Sequence, residues 1–450
     1  MSSITEPTPV IAPGRRTLAV ASSAPLLVLT NFTVPTVTLP LTARELGAGP
    51  TGPVWILGAI SLGLSALLLV SGGLADDYGR KRVLVAGTIV LAVASVVAAL
   101  STAVVVFVAA RLVQGGASAA MLAASLGIVG HAFPSGTERV RATGRYGAMI
   151  GLGTTVGPLL SGVLAEVAGW RAVYWLMAAC ALALAVVSAR TLEESRSPAP
   201  RRFDVPGVVL LSLGVAALLT GVTEGRLGWS RPVVLVAFAA AALLVTTFVL
   251  AERRRAEPLI DLELFRRPVF LVATGGALVV GAAVVGLLTY LPTVLQTTHG
   301  LTPLETALLF VLWSALSFVS ALLSRHLRLP TAARLALGLA LTALGFAGLL
   351  GLGGEFVPAL VVGGLVVSGA GAGVINSSIT HLAIESVPSH RVGMGSGANN
   401  TARYVGSSLG AAGVAGVIGG LGAQQGVMVA VAACIALTAA TAVAALVTRH

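Results

Sequence analysis

About fourteen separate apolar stretches run through this chain, and they constrain its fold more than any motif does. A helix rises about 1.5 Å per residue, so crossing a hydrocarbon layer of about 30 Å takes about 20 mostly apolar residues. Runs of that kind fall near 17–40, 52–75, 83–101, 103–129, 146–166, 172–190, 205–223, 232–251, 268–292, 304–324, 332–352, 357–379, 397–420 and 427–447. Fourteen spans in 450 residues leave only short loops and no room for a water-soluble domain. Charged residues are 10% of the chain, against roughly 25% in soluble domains. That surface is too apolar for a soluble enzyme, a nucleic-acid-binding protein or a disordered chain. The expected fold class is an all-α integral membrane protein.

The formal net charge is +11, but the 28 Lys and Arg residues form no dense stripe of the kind nucleic acid needs. Cytoplasmic loops of membrane proteins are enriched in Lys and Arg. With the N-terminus inside, 22 basic residues fall in cytoplasmic segments, four outside (Arg44, Arg171, Arg226 and Arg231) and two within spans, Arg111 and Arg403. The reverse topology inverts that bias, so both termini are expected in the cytoplasm of a multi-pass cell-membrane protein. The first apolar run exceeds a signal-peptide core, so no cleaved leader is expected. Cys180 and Cys434 lie in apolar runs without metal-ligand spacing and read as packing residues, so neither metal nor cofactor is expected.

Two charged linkers, Thr191–Asp204 and Glu252–Arg267, divide the spans into a 6+2+6 arrangement. The implied units are a six-helix bundle over 1–190, two central helices with their linkers over 191–267, and a second six-helix bundle over 268–450. A faint internal echo accompanies this division. Phe133-Pro134-Ser135 precedes the fifth span and Val387-Pro388-Ser389 the thirteenth, each followed by a Gly-rich helix. Parallel six-helix repeats are a known transporter plan.

Three motifs sharpen the reading. The loop after the second span runs Gly72-Gly73-Leu74-Ala75-Asp76-Asp77-Tyr78-Gly79-Arg80-Lys81-Arg82. Its acid can cap or pair with a neighbouring helix end, and Gly79 permits a tight reversal. Span four carries Arg111-Leu112-Val113-Gln114-Gly115-Gly116, and span five carries Gly153-Thr154-Thr155-Val156-Gly157-Pro158-Leu159-Leu160-Ser161-Gly162. Gly153, Gly157 and Gly162 allow close helix approach, while Pro158 removes a backbone donor and bends its helix. In order and position these three resemble the G-x-L-a-D-r-x-G-r-k, R-x-x-q-G and G-x-x-x-G-P-x-x-G-G motifs of the major facilitator superfamily. The 6+2+6 layout and Gly397-Ala398-Asn399-Asn400-Thr401-Ala402-Arg403 narrow the resemblance to its fourteen-helix drug:proton antiporters. Ser161 departs from the motif's closing glycine pair.

The resemblance implies a major facilitator fold, alternating access around a central site, and export of a small amphipathic organic compound such as an antibiotic. It implies membrane lipids and protons as partners, a monomer, no nucleic acid and no enzymatic activity. It assigns conformational or coupling roles to Asp76, Gly79, Arg80, Arg111, Gly153, Gly157, Pro158 and Gly162, with the span-five helix at the interface between halves. A facilitator or importer that moves solute without protons, and a membrane receptor without transport, stay open as other readings. No G-x-x-x-x-G-K-[ST] loop is present, which disfavours ATP-driven pumping.

Arg111 is the most informative residue. It sits about eight residues below the outer end of its span, thus about 12 Å deep, near the middle of the layer. A charge at that depth is costly and marks a functional site by default. The resembled family places an acid in span one at matching depth, in a run like l-D-t-T-i-V-n-V-A-L-P. Here Thr30-Asn31-Phe32-Thr33-Val34-Pro35-Thr36-Val37-Thr38-Leu39-Pro40 puts Asn31 there, so an Asn31–Arg111 contact is expected without a titratable proton. All 17 acidic residues lie in loops or at span ends. Asp76, Glu305 and His381 are then the candidates for proton coupling. Asn31, Gln114, Tyr290, Gln296, Trp313, Asn376 and Asn400 are candidates to line a substrate cavity, and Arg403 is expected to snorkel toward the cytoplasmic surface.

Overall fold

The structure is a computed structural model; it describes all residues except 1–12, 134–135, 197–203, 226, 256–261, 355, 386–391 and 448–450. The described residues form long helices: α1 (Pro13–Glu45), α2 (Gly52–Tyr78), α3 (Arg80–Leu100), α4 (Val104–Ala132), α5 (Gly136–Val167), α6 (Arg171–Thr191), α7 (Val205–Gly225) and α8 (Pro232–Arg253). Next come α9 (Pro268–Val279) and α10 (Gly286–His299), joined by a π-helical turn over Val280–Val285 into one span. The chain ends with α11 (Pro303–Leu323), α12 (Thr331–Leu349), α13 (Pro358–Glu385), α14 (Val392–Leu421) and α15 (Ala423–Val447). Counting α2 as one span across its bend, fourteen helical spans are long and apolar enough to cross a membrane.

Local chemistry explains many helix ends. Proline stands in the first turn of α2, α8, α9 and α11, where its missing N–H costs nothing. Thr302 and Glu305 form a reciprocal capping box at the start of α11. Gly300, left-handed at φ 70°, closes α10. The first helix has 33 residues, well beyond the 17–40 run, because its first and last turns are polar and extend past the apolar stretch.

The two six-helix sets pack alike. The pairings α1 with α5, α2 with α4, α3 with α4 and α3 with α6 recur as α9–α10 with α14, α11 with α13, α12 with α13 and α12 with α15. Each helix corresponds to the one eight spans later, and glycines make the closest approaches at corresponding places. A side chain at Gly153 or Gly157 of α5 would collide with α1 backbone at Leu26 and Thr30; one at Gly406 or Gly410 of α14 would collide with Leu278 and Ala282. The helices α7 and α8 pack on each other, with α7 resting on α2 and α14.

Between the sets, α2 packs on α14 and α5 on α11. Fourteen alternating crossings put the start of α1 and the end of α15 on one face, here called the near face. Named ties between the sets lie from mid-depth to the far face. Gln296 Nε2 donates to the Val37 carbonyl at 2.7 Å, and Leu304 N–H to Glu166 Oε1 at 3.3 Å. The rings of Phe32 and Tyr404 meet at 5.7 Å. Of the two cysteines expected to be packing residues, Cys434 is buried, but Cys180 is exposed, because it lies on the outward face of α6.

Candidate functional site

Arg111 is completely buried, and its surroundings follow from one proline. Pro35 has no N–H, so the carbonyl four residues earlier in α1, that of Asn31, has no helical donor. Arg111 Nη1 donates to that carbonyl at 2.9 Å, to Asn31 Oδ1 at 3.3 Å and to Gln114 Oε1 at 2.8 Å. Its Nη2 reaches the Phe32 carbonyl at 3.4 Å. Gln114 Nε2 passes the network to Ser95 Oγ of α3 at 3.1 Å, and Ser95 donates to Leu91 O. Every partner is an oxygen of an amide, a carbonyl or a hydroxyl. The cation is held by dipoles alone, and among the described residues it has no ion pair. Asn31 and Gln114, expected to line a cavity, are both fully buried and serve as its clamps.

The span-five motif divides its work. Gly153 and Gly157 seat α5 against α1, where Thr30 Oγ1 also donates to the Gly153 carbonyl at 3.4 Å. Gly162 faces the other set, where a Cβ would press on Ala307 Cβ and the Pro303 carbonyl of α11. Pro158 is buried between them, and Ser161 turns back to donate to the Pro158 carbonyl. The helix lies at the interface between halves as the resemblance implied, but within the motif two glycines build one half and the third joins the halves.

At the near face, Asp76 pairs with Arg80 one turn on, at 2.6 Å, and the Arg80 side chain crosses α4 at Gly127. The acid that meets the N-terminus of α3 is a different one. Glu194, in the linker after α6, accepts from the N–H groups of Lys81 and Arg82 at 3.1 and 3.3 Å, and the Arg80 N–H donates to Ser195 O. Gly79 has φ 111°, which favours glycine, and a Cβ there would press on the Glu194 carboxylate. Glu194 stands more than a hundred residues from the loop, and only its place in an acidic linker between basic segments hinted at it.

The remaining candidates spread over two levels. Tyr290 packs among apolar residues of both sets toward the far face, where Gln296 also ties them. Trp313 of α11 is partly buried with Nε1 lacking a partner. Nearer mid-depth, Arg403 of α14 donates to Asn376 Oδ1 of α13 at 3.3 Å and to Asn400 Oδ1 at 3.1 Å. Arg403 therefore does not run free to the surface, because two amides hold its guanidinium among the helices. The structure thus joins Asn31, Gln114 and Arg111 in one network and Asn376, Asn400 and Arg403 in another. Among the described residues no group of three or more His, Cys, Asp or Glu could hold a metal.

Two like-built helical sets, tied across α2–α14 and α5–α11 with a buried arginine network beside them, define a polytopic α-helical transporter. A family model for the Major Facilitator Superfamily matches residues 22–411, and the chain belongs to that superfamily. Like its relatives it is a transporter and not an enzyme. It is 33% identical over 379 residues to multidrug resistance protein Stp of Mycobacterium tuberculosis, covering 84% of this chain and 70% of that protein. It is 31% identical over 405 residues to puromycin resistance protein pur8 of Streptomyces alboniger, covering 88% and 80%. It is 29% identical over 400 residues to the tetracenomycin C resistance and export protein of Streptomyces glaucescens, covering 88% and 74%. Among solved structures, a POT family transporter in complex with a thioalcohol-conjugated peptide matches with TM-score 0.73 at 14% identity, over 97% of each chain. An inward-facing, unoccupied bacterial homologue of the human lysosomal transporter Spinster matches with TM-score 0.69, also at 14% identity and 97% of each chain.

Proposed function

We propose that this protein exports small amphipathic organic compounds, drugs or antibiotics among them, across the cell membrane by alternating access. The observation that carries this reading is the pair of like-built helical sets joined mainly through two helix pairs, with lighter contacts from α1. Such sets can rock about the α2–α14 and α5–α11 contacts without repacking their interiors. Residues 1–190 and 268–450 are the moving halves, and 191–267 is an insert resting on α2 and α14. Both termini lie in the cytoplasm, as the distribution of basic residues supports. The far face is then external, its ties close the outer side, and substrate enters from the cytoplasm. Asp76, Gly79 and Arg80 set the near-face loop; Gly153, Gly157, Pro158 and Gly162 form the rocking surface; Arg111 fixes α1 to α4. A single chain is the working unit.

The proton gradient supplies the energy. Asn31 has no proton to exchange, Glu305 is committed to the α11 capping box and Asp76 is ion-paired. His381, exposed on α13, is the first candidate to carry the proton. The test is drug uptake into inside-out vesicles, driven by an imposed pH gradient at clamped membrane potential. Uphill uptake that collapses with a protonophore and weakens in His381→Asn supports this reading. The absent span-one acid favours one rival, a proton-independent facilitator; equilibration unchanged by the protonophore would select it. Absence of any drug movement, with normal expression, would reject export.

A further inference from the structure

Resting on the export reading, we propose that the substrate is an aromatic organic anion, a carboxylate or phenolate, bound through the guanidinium of Arg403. The argument begins with charge. No acidic residue occupies the middle of any span, while two arginines do, Arg111 and Arg403. A cationic compound entering this protein meets no countercharge at mid-depth, and the partly exposed Arg403 repels it. An unpaired charge in a low-dielectric region carries a large desolvation cost, which an anionic ligand offsets and a cationic one worsens.

The two arginines differ in what they can touch. Arg111 is sealed at 0% exposure, and its Nη groups donate to α1 and Gln114. Arg403 is partly exposed, and it forms no ion pair among the described residues. The Asn376 and Asn400 amides take one hydrogen bond from each terminal nitrogen and orient the fork without neutralising it. Guanidinium has five donors, so a planar carboxylate can be met while both amides stay bound. Asn376 is itself exposed, which leaves the place beside the fork accessible.

An apolar aromatic surface adjoins the cation. Tyr404, the next residue of α14, lies with its ring centroid 5.5 Å from the Arg403 guanidinium carbon and meets Phe32 of the opposite half. The Phe32 carbonyl is an Arg111 acceptor, so the aromatic pair sits between the two arginines along the chain contacts. A ligand with an aromatic ring and an anionic group one bond or two away matches this arrangement. The approach from the near face is also basic: the first turns of α5 expose Arg141 and Arg145. Such a field concentrates anions at the entrance.

The test uses two dyes of similar ring system and opposite charge, fluorescein and tetramethylrhodamine methyl ester. Binding to the purified protein in detergent is read by fluorescence polarisation, and transport by uptake into inside-out vesicles. The wild type is expected to bind and take up fluorescein in preference to the cation. Arg403→Gln should weaken fluorescein binding by about tenfold or more, the loss of a charge-assisted contact, and Arg403→Lys by less. Asn376→Ala, which removes an orienting amide and keeps the charge, should lie between them and guards against a folding artefact in the arginine variants. Arg403→Glu should shift preference toward the cation. Preferential binding of the cation by the wild type, no fluorescein binding, or an unchanged dye preference in folded Arg403→Gln would each overturn the proposal. Export of uncharged or cationic drugs alongside such a result would leave the efflux reading standing, whereas movement of no drug at all would remove both.

Discussion

At the residue scale, the Arg111 network shows how a buried cation is kept without a countercharge. A proline-freed carbonyl, two side-chain amide oxygens and the Phe32 carbonyl replace the carboxylate that the resembled family supplies. Arg111→Ala leaves these acceptors unsatisfied in a buried site, at about 1–3 kcal/mol each, so it should both lower the melting temperature in detergent and abolish transport. Arg111→Lys should recover stability only in part, since one ammonium cannot span the same fork. Asn31→Asp is expected to do the opposite of Arg111→Ala. It places a carboxylate against Nη1, which favours its charged form, while burial favours the neutral one, giving a proton-switchable group where none exists. Transport by that variant should follow a pH profile shifted from that of the native protein; identical pH profiles in vesicle uptake would show that this position is outside the coupling path. Much of this network was legible in the sequence. Depth paired Asn31 with Arg111, whereas Gln114, three residues on along the same helix, was read as a cavity residue although that spacing sets it beside the arginine. Ser95 was not legible, because nothing in α3 marks which of its small polar residues turns toward α4.

At the element scale, the span-five helix separates packing within a half from contact between halves. Gly157→Val would drive a branched side chain into Thr33 Oγ1 and the backbone carbonyl of Thr30, within one half. Overpacking of that kind costs about 1–3 kcal/mol and should reduce stability as well as transport. Gly162→Val instead wedges α5 from α11 at the far face, where Ala307 and Leu304 stand. It should leave the fold intact and bias the protein toward opening on that face, raising thiol labelling of a cysteine at Leu304. Equal melting-temperature losses for both variants, with no change in labelling, would show that Gly162 is another packing glycine. The sequence motif could not make this distinction, since three glycines on one helix reveal small-residue faces but not which neighbour each face meets. The linker clamp at Glu194 was hidden for a similar reason, as a contact across more than a hundred residues leaves no local periodicity.

At the scale of the whole molecule, fourteen spans and the 6+2+6 layout could be read from hydropathy because each span is long and the charged linkers are the only breaks of their kind. The pairing of halves was less visible: it rests on glycines whose partners are backbone atoms, and backbone leaves no sequence signal. Orientation and state can be tested together. In a background without Cys180 and Cys434, cysteines at Ser230 and Gly354, both exposed on the far face, should react with an impermeant thiol reagent applied to intact cells, and one at Glu193 should not. With that orientation, the tie between Glu166 and Leu304 belongs to the closed outer gate. Replacing both by cysteine and bridging them with a short thiol crosslinker should stop drug export, and a cleavable crosslinker should restore it on reduction. The bridge prevents the only rearrangement by which substrate held between the halves can leave outward, while each half stays folded. Export that continues through a complete crosslink would mean that α5 and α11 stay together throughout the cycle, so that rocking about this contact is not how the protein moves its cargo.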